Sequence, residues 1–118
     1  MQTLMMEFGN QPVRAYFVWV PILAEDNEEA ARQSTLRYWA PNSVYFWTRT
    51  AKLSHDVASV IRLPAGRPAW DVYFLYKRGI TWDRVPPAPN YWQKQLDVLQ
   101  GDAFNPQVMR VHVRDALK

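Results

Sequence analysis

Val13-Arg-Ala-Tyr-Phe-Val-Trp-Val-Pro21 decides the fold, because it is an almost continuously apolar, β-prone run that ends at a proline. The residues that follow, Ile22-Leu-Ala-Glu-Asp-Asn-Glu-Glu-Ala-Ala-Arg32, are typical of a loop, an acidic cap and a helix. We expect Asp26 or Asn27 to cap this helix, with two glutamates in its positive first turn. A strand buried on both faces and followed by a helix indicates a parallel sheet, so the sequence predicts an α/β fold.

A second strand is predicted over Trp70–Tyr76, where the chain is again apolar and aromatic. Lys77-Arg-Gly79 has the composition of a tight connection, and we expect Ile80-Thr-Trp82 to pair back as a short antiparallel edge. A helix is predicted over Tyr91–Leu99, closed by Gly101, because three large apolar residues of this segment share one helical face.

The other segments follow from the same rules. Thr3–Phe8 is predicted to be the last turns of a helix stopped by a left-handed cap at Gly9-Asn10. A helical region is expected to open at Asn42 and run to Ile61, although Val44–Trp47 also has strand propensity. Prolines make 63–68 a loop and 84–89 a stiff extended segment. The tail, 106–117, fits either a helix or a strand and stays open.

Composition limits the class of protein. The chain has 118 residues, 48% of them hydrophobic and 14% aromatic, with six tryptophans, which excludes a disordered protein and predicts a single domain over 1–118. Its net charge of +3 is modest and not clustered, so nucleic-acid binding is not expected. There is no cysteine, which excludes disulfides, thiol catalysis and cysteine-ligated metal centres. We expect no cofactor and no bound metal.

Membrane insertion and secretion are not expected either. The longest apolar run, 15–24, is about half of a membrane span, and no basic-then-apolar secretory pattern opens the chain. The default expectation is a cytoplasmic protein. Whether Met1 is the native start is left open.

Four of these stretches together resemble a family of poorly characterised bacterial thioredoxin-like proteins. They are the Val-Trp-Val-Pro strand with its acidic loop, Phe46-Trp47, the run Trp70-Asp-Val-Tyr-Phe-Leu-Tyr76 with Gly79 and Trp82, and Pro86-Pro-Ala-Pro-Asn-Tyr-Trp-Gln-Lys-Gln-Leu96. The resemblance covers roughly residues 12 to 96, and 100–118 is a C-terminal extension. It implies a thioredoxin-like α/β domain with a small mixed sheet and flanking helices, truncated or rearranged at its N-terminus.

This chain departs from that family pattern in two ways. It begins near the end of the helix that precedes the Val-Trp-Val-Pro strand in the family, and it lacks the cysteines of the family's redox site. A missing first strand would leave exposed sheet edges. We therefore expect either that Val108–Val113 inserts as a replacement strand or that chains associate, and we favour association.

Candidate catalytic groups are few. Asp26 and Asp71 each follow or border a predicted strand and are the pair we would assign to an acid–base or cation site, although capping and loop hydrogen bonds explain them as well. Ser54-His55-Asp56 resembles a hydrolase triad, but adjacent residues on a helix point about 100° apart and form no relay. His112 has no second histidine at metal spacing, so no metal site is predicted.

Most tryptophans are expected in the core, but some are candidates for a binding surface. Trp39, Trp82 and Trp92 are flanked by basic residues and are suited to anchor a protein partner, because Asp83 and Asp97 disfavour nucleic acid. The predicted binding residues are Pro21, Asp26, Trp70, Asp71, Trp82 and Trp92.

The favoured function is a redox-inactive binding or assembly module that acts through protein–protein contacts or self-association. The alternative is a small enzyme that uses Asp26 and Asp71 at the carboxyl end of the sheet. The third hypothesis is a weak nucleic-acid binder.

Overall fold

A computed structural model describes residues 1–97 and 99–118, and the chain is a mixed α/β protein with small sheets and flanking helices. In chain order the elements are α1 (Gln2–Glu7), β1 (Ala15–Trp19), α2 (Glu28–Arg37), β2 (Ser43–Trp47), α3 (Lys52–Val60), β3 (Val72–Leu75), β4 (Tyr91–Lys94), β5 (Asp102–Ala103) and α4 (Pro106–Ala116). The chain divides into two compact units, Met1–Ala51 and Lys52–Lys118. A single domain over 1–118 stays a prediction.

The first unit is a parallel β-α-β arrangement. β1 pairs in parallel with β2, from Ala15 opposite Ser43 to Trp19 opposite Trp47, and α2 connects them. The side chain of Asn27 accepts a hydrogen bond from the amide of Ala30 and so caps α2, as one of the two predicted residues. The predicted strand, parallel pairing and acidic first turn are therefore confirmed.

The helix α2 lies against one face of this two-stranded sheet. The indole nitrogen of Trp19 donates to the hydroxyl of Thr35 in α2 at 2.9 Å. On the same face the rings of Phe17 and Tyr45 stack with centroids 4.9 Å apart. The prediction that β1 is buried on both faces is wrong, because Tyr16 on the opposite face is 61% exposed.

Two predictions for the first unit are corrected. Residues 43–47 form a strand rather than a helix, because pairing with β1 satisfies their backbone and suits their β-branched and aromatic side chains. Asn42, with a positive φ of 54°, turns the chain into β2 instead of starting a helix. The helix α1 is confirmed, but its end at Phe8 has a φ of −94° and is not a left-handed cap.

The second unit has a three-stranded sheet, in which β4 is central. β3 is antiparallel to β4 and β5 is parallel to it. The helix α3 covers one face, where Val57 and Ala58 are buried with Ala69 and contact Val72 and Phe74. The predicted helix after Thr50 is thus confirmed.

The other face of the second sheet is covered by α4. The ring of His112 stacks on Tyr91 of β4 at a centroid distance of 3.6 Å. Asn105 caps α4, and its backbone amide donates to Oε1 of the fully buried Gln93 side chain at 3.1 Å. The tail is therefore a helix, and insertion of Val108–Val113 as a replacement strand is wrong.

The hairpin and helix predicted around these strands are also wrong. β3 pairs with Tyr91–Lys94, and the expected edge Ile80–Trp82 belongs to neither strand nor helix. Tyr91–Lys94 is preferred because it places Trp92 opposite Phe74, with ring centroids 6.3 Å apart, in a covered sheet. The same pairing replaces the helix predicted over Tyr91–Leu99, in which Val98 lies outside the described residues. The proline-rich residues 84–89 contain neither helix nor strand, as predicted.

Across the residues that the structure describes, none of the helices has the length and apolar character needed to cross a membrane.

Gly101 provides a test of the packing around Trp92. Its φ of 118° suits only glycine, and a Cβ there would lie 2.7 Å from Cζ2 of the Trp92 ring. We expect Gly101→Ala to lower the free energy of unfolding by about 2–4 kcal/mol, since strain and overpacking add. Urea denaturation measures this change. Gly66→Ala is the control, because Gly66 also has a positive φ, of 79°, but a Cβ there meets nothing within 4 Å. Equal losses in both variants would contradict the packing argument.

Candidate functional site

Asp26 holds the loop that follows β1. Its Oδ2 accepts hydrogen bonds from the backbone amides of Ile22 at 2.8 Å and Leu23 at 2.7 Å. Pro21, at the end of β1, is half-buried at the start of the same loop. The carboxylate of Asp26 is thus occupied by backbone donors, which is a structural role for this predicted site residue.

Asp71 lies at the start of β3 in an unusual backbone conformation, with a φ of 50°. Its carbonyl accepts from the amide of Gln95 at 2.9 Å and so extends the β3–β4 ladder by one pair. Partial burial of its carboxyl raises the pKa of Asp71, although the residue as a whole is exposed. Burial, and secondly the charge of Asp71, raise the pKa of Tyr73, whose hydroxyl donates to Gln95.

The two carboxylates of the enzyme hypothesis belong to different units. Asp26 lies in the first and Asp71 in the second. Within 1–97 and 99–118 no cluster of three or more metal-ligating side chains is found. The enzyme hypothesis therefore stays a prediction.

Ser54, His55 and Asp56 do not form a relay. The buried hydroxyl of Ser54 donates to the carbonyl of Ala69, and Asp56 pairs with Lys52 one turn earlier on α3. His55 is exposed. The hydrogen bond of Ser54 therefore joins α3 to the segment that leads into β3. The ion pair of Asp56 links two successive turns of α3.

The predicted tryptophans divide into core and surface. Trp70 is half-buried beside the core residue Ala69. Trp92 is half-buried against Phe74, and from Phe74 a row of rings continues through Tyr76 to Trp82, with centroid distances of 6.3 and 6.5 Å. Trp82 lies at the outer end of this row and is 46% exposed. Of the tryptophans predicted to bind in the second unit, Trp82 is therefore the one whose exposed ring is available to a partner.

One surface was not predicted from the sequence. Tyr16 and Val18 of β1 share a face with Val44 and Phe46 of β2, as the strand register requires. Tyr16, Val44 and Phe46 are exposed. We call these four residues the open sheet face. Both strands are apolar at nearly every position, so no alternation in the sequence indicated which face would be uncovered.

Comparisons with known proteins do not assign a family. No family model matches the chain, and neither a curated protein nor a solved structure matches it significantly.

The raised pKa of Asp71 predicts a pH effect. A carboxyl with a higher pKa in the folded state stabilises the fold below its unfolded pKa, near 3.8, and that contribution is lost as the pH rises through the folded pKa. Asp71→Asn, which removes the charge and tolerates a positive φ, should therefore be more stable than the wild type at pH 7.

Urea denaturation at about pH 7 and pH 3 tests this, because the stability difference should disappear once Asp71 is protonated. Asp71→Ala is the comparison variant; it also lacks the charge, but alanine is strained at this φ, so its stability should fall below that of Asp71→Asn at both pH values. A difference between Asp71→Asn and the wild type that is the same at both pH values would contradict the argument.

Proposed function

We propose that this chain is a redox-inactive, thioredoxin-like module that acts through protein–protein contacts and associates with copies of itself. The order of elements supports the fold assignment: apart from α1 and the two-residue strand β5, a parallel β-α-β arrangement, a helix, an antiparallel strand pair and a final helix occur in the same order in thioredoxin-like domains. The lack of cysteine removes thiol chemistry.

The open sheet face is the main observation that supports a function in protein–protein contact. Parallel strands normally have both faces covered, yet here Tyr16 is 61% and Phe46 48% exposed. The two rings stack on each other, with centroids 6.4 Å apart, and so form one continuous apolar surface. Burying each half-exposed ring in a contact would contribute about 2 kcal/mol.

A second copy of the chain fits this face. Neither β1 nor β2 contains a charged residue, so two such faces brought together do not repel each other. The same patch on both partners gives a two-fold symmetric contact, which is the commonest form of self-association. The small size of the face predicts a weak, concentration-dependent dimer rather than a permanent one.

Phe46→Ser tests the proposal. The substitution removes the largest exposed apolar group of β2 without emptying a core site, and we expect the dissociation constant of the self-association to rise at least tenfold. Light scattering and sedimentation over a range of protein concentrations measure this change. The measurement is made at about 0.5 M salt, where contacts between exposed charges are screened.

Leu36→Ser is the matched control, because Leu36 is 67% exposed on α2 and lies outside the open sheet face. It should leave the association unchanged. A wild-type protein that keeps the mass of a single chain at the highest concentration, or an equal effect of both substitutions, would refute the proposal.

A further inference from the structure

The connection between β3 and β4 has an exposed basic part. Residues 77–85, Lys-Arg-Gly-Ile-Thr-Trp-Asp-Arg-Val, are all exposed, and we call them the basic loop. It carries three cations, one carboxylate and three large apolar side chains, which are Ile80, Trp82 and Val85. Long connections without secondary structure in a small domain are commonly functional.

The basic loop is held in place at its base. The side-chain oxygen of Asn90 accepts a hydrogen bond from the backbone amide of Lys77 at 2.7 Å. The backbone amide of Asn90 donates to the carbonyl of Leu75 at 2.9 Å. The hydroxyl of Tyr76 donates to the carbonyl of Pro87 at 3.0 Å. Three prolines between 86 and 89 stiffen the return to β4. Both ends of the loop are therefore fixed, which lowers the ordering entropy that is lost when the loop binds a partner.

Two of its cations are available to a partner. Within the described part of the chain, the guanidinium groups of Arg78 and Arg84 take part in no hydrogen bond or ion pair. Their planar donors match carboxylates in geometry. Together with the exposed ring of Trp82, they form the kind of aromatic and cationic anchor found at protein contacts.

The chain also carries the complementary surface. Four of its eleven acidic residues lie within 25–29, beside the exposed side chain of Leu23. Asp26 is occupied by backbone amides, and Glu29 pairs with Arg32. Glu25 and Glu28 are exposed and, as far as the described residues extend, make no side-chain hydrogen bond or ion pair. We call residues 22–29 the acidic segment.

We propose that the basic loop of one copy docks on the acidic segment of another copy, with Arg78 and Arg84 facing Glu25 and Glu28 and with Trp82 against Leu23. This contact rests on the proposed assembly function and adds a second interface to it. It joins two different surfaces, so each copy presents one site of each kind and can link beyond a dimer. Its few charge pairs and small apolar area make it weak and sensitive to salt.

Charge reversal in two separate variants tests the contact. Both variants carry Phe46→Ser, so that the open sheet face does not contribute. The first adds Arg78→Glu and Arg84→Glu, and the second adds Glu25→Lys and Glu28→Lys. In each variant alone the side chains at 78 and 84 have the same sign of charge as those at 25 and 28, and we expect association at about 50 mM salt to weaken at least tenfold relative to Phe46→Ser.

Mixing the two variants is the decisive measurement. In an equimolar mixture the side chains at 78 and 84 of each variant meet side chains of opposite charge at 25 and 28 of the other, so association should return to the level of Phe46→Ser. It should be lost again at about 0.5 M salt. Phe46→Ser with Arg49→Glu and Arg62→Glu is the control, because it has the same net charge as the loop variant and leaves the loop intact. Circular dichroism and urea denaturation check that every variant folds.

Three results would overturn the contact. The first is a mixture that associates no better than its two components. The second is an equal loss in the control, which would indicate net charge as the cause. The third is a loop variant with unchanged self-association that no longer binds vesicles containing phosphatidylserine, which would identify a lipid surface as the loop's partner. The high-salt test of Phe46→Ser remains independent of all three, so either proposal can fail alone.

Discussion

Two parallel strands form a stable sheet only where their apolar faces are kept from water, and this chain covers β1 and β2 with a helix on one side. Trp19, hydrogen-bonded to Thr35, belongs to the covered face, whereas Tyr16 and Phe46 belong to the exposed one. A short two-stranded sheet is marginal by itself. The need to cover the second face is the physical reason for the proposed contact function.

The second unit meets the same constraint in a different way. Its sheet has α3 on one face and α4 on the other, and the buried side chain of Gln93 joins the central strand to the cap of α4 through the amide of Asn105. The large apolar residues that this unit exposes lie outside its strands, in the basic loop and, with Val108 and Val111, on α4. The two proposed contacts differ in kind, since one is apolar and insensitive to salt and the other depends on charge.

Local patterns predicted the elements whose signals lie within a few residues. The acidic turn and the cap at Asn27 predicted α2, and the 3.6-residue period after Thr50 predicted α3. The predictions failed where a distant partner decided the structure. Val44–Trp47 and Tyr91–Lys94 are strands because β1 and β3 pair with them, and Ile80–Trp82 is a loop because the partner of β3 comes later in the chain.

The residues of the candidate site show the same difference between local signals and contacts with distant segments. The sequence alone excluded sulfur chemistry, placed Asp26 in the loop after β1 and marked Trp82 as a surface candidate, because these conclusions depend on residue type and near neighbours. Tertiary structure decided that Asp26 holds backbone amides, that Trp92 packs on Phe74 and that one face of β1 and β2 is open. Burial depends on which segments meet across the fold, and a strand that is apolar at every position does not reveal which of its faces will be covered.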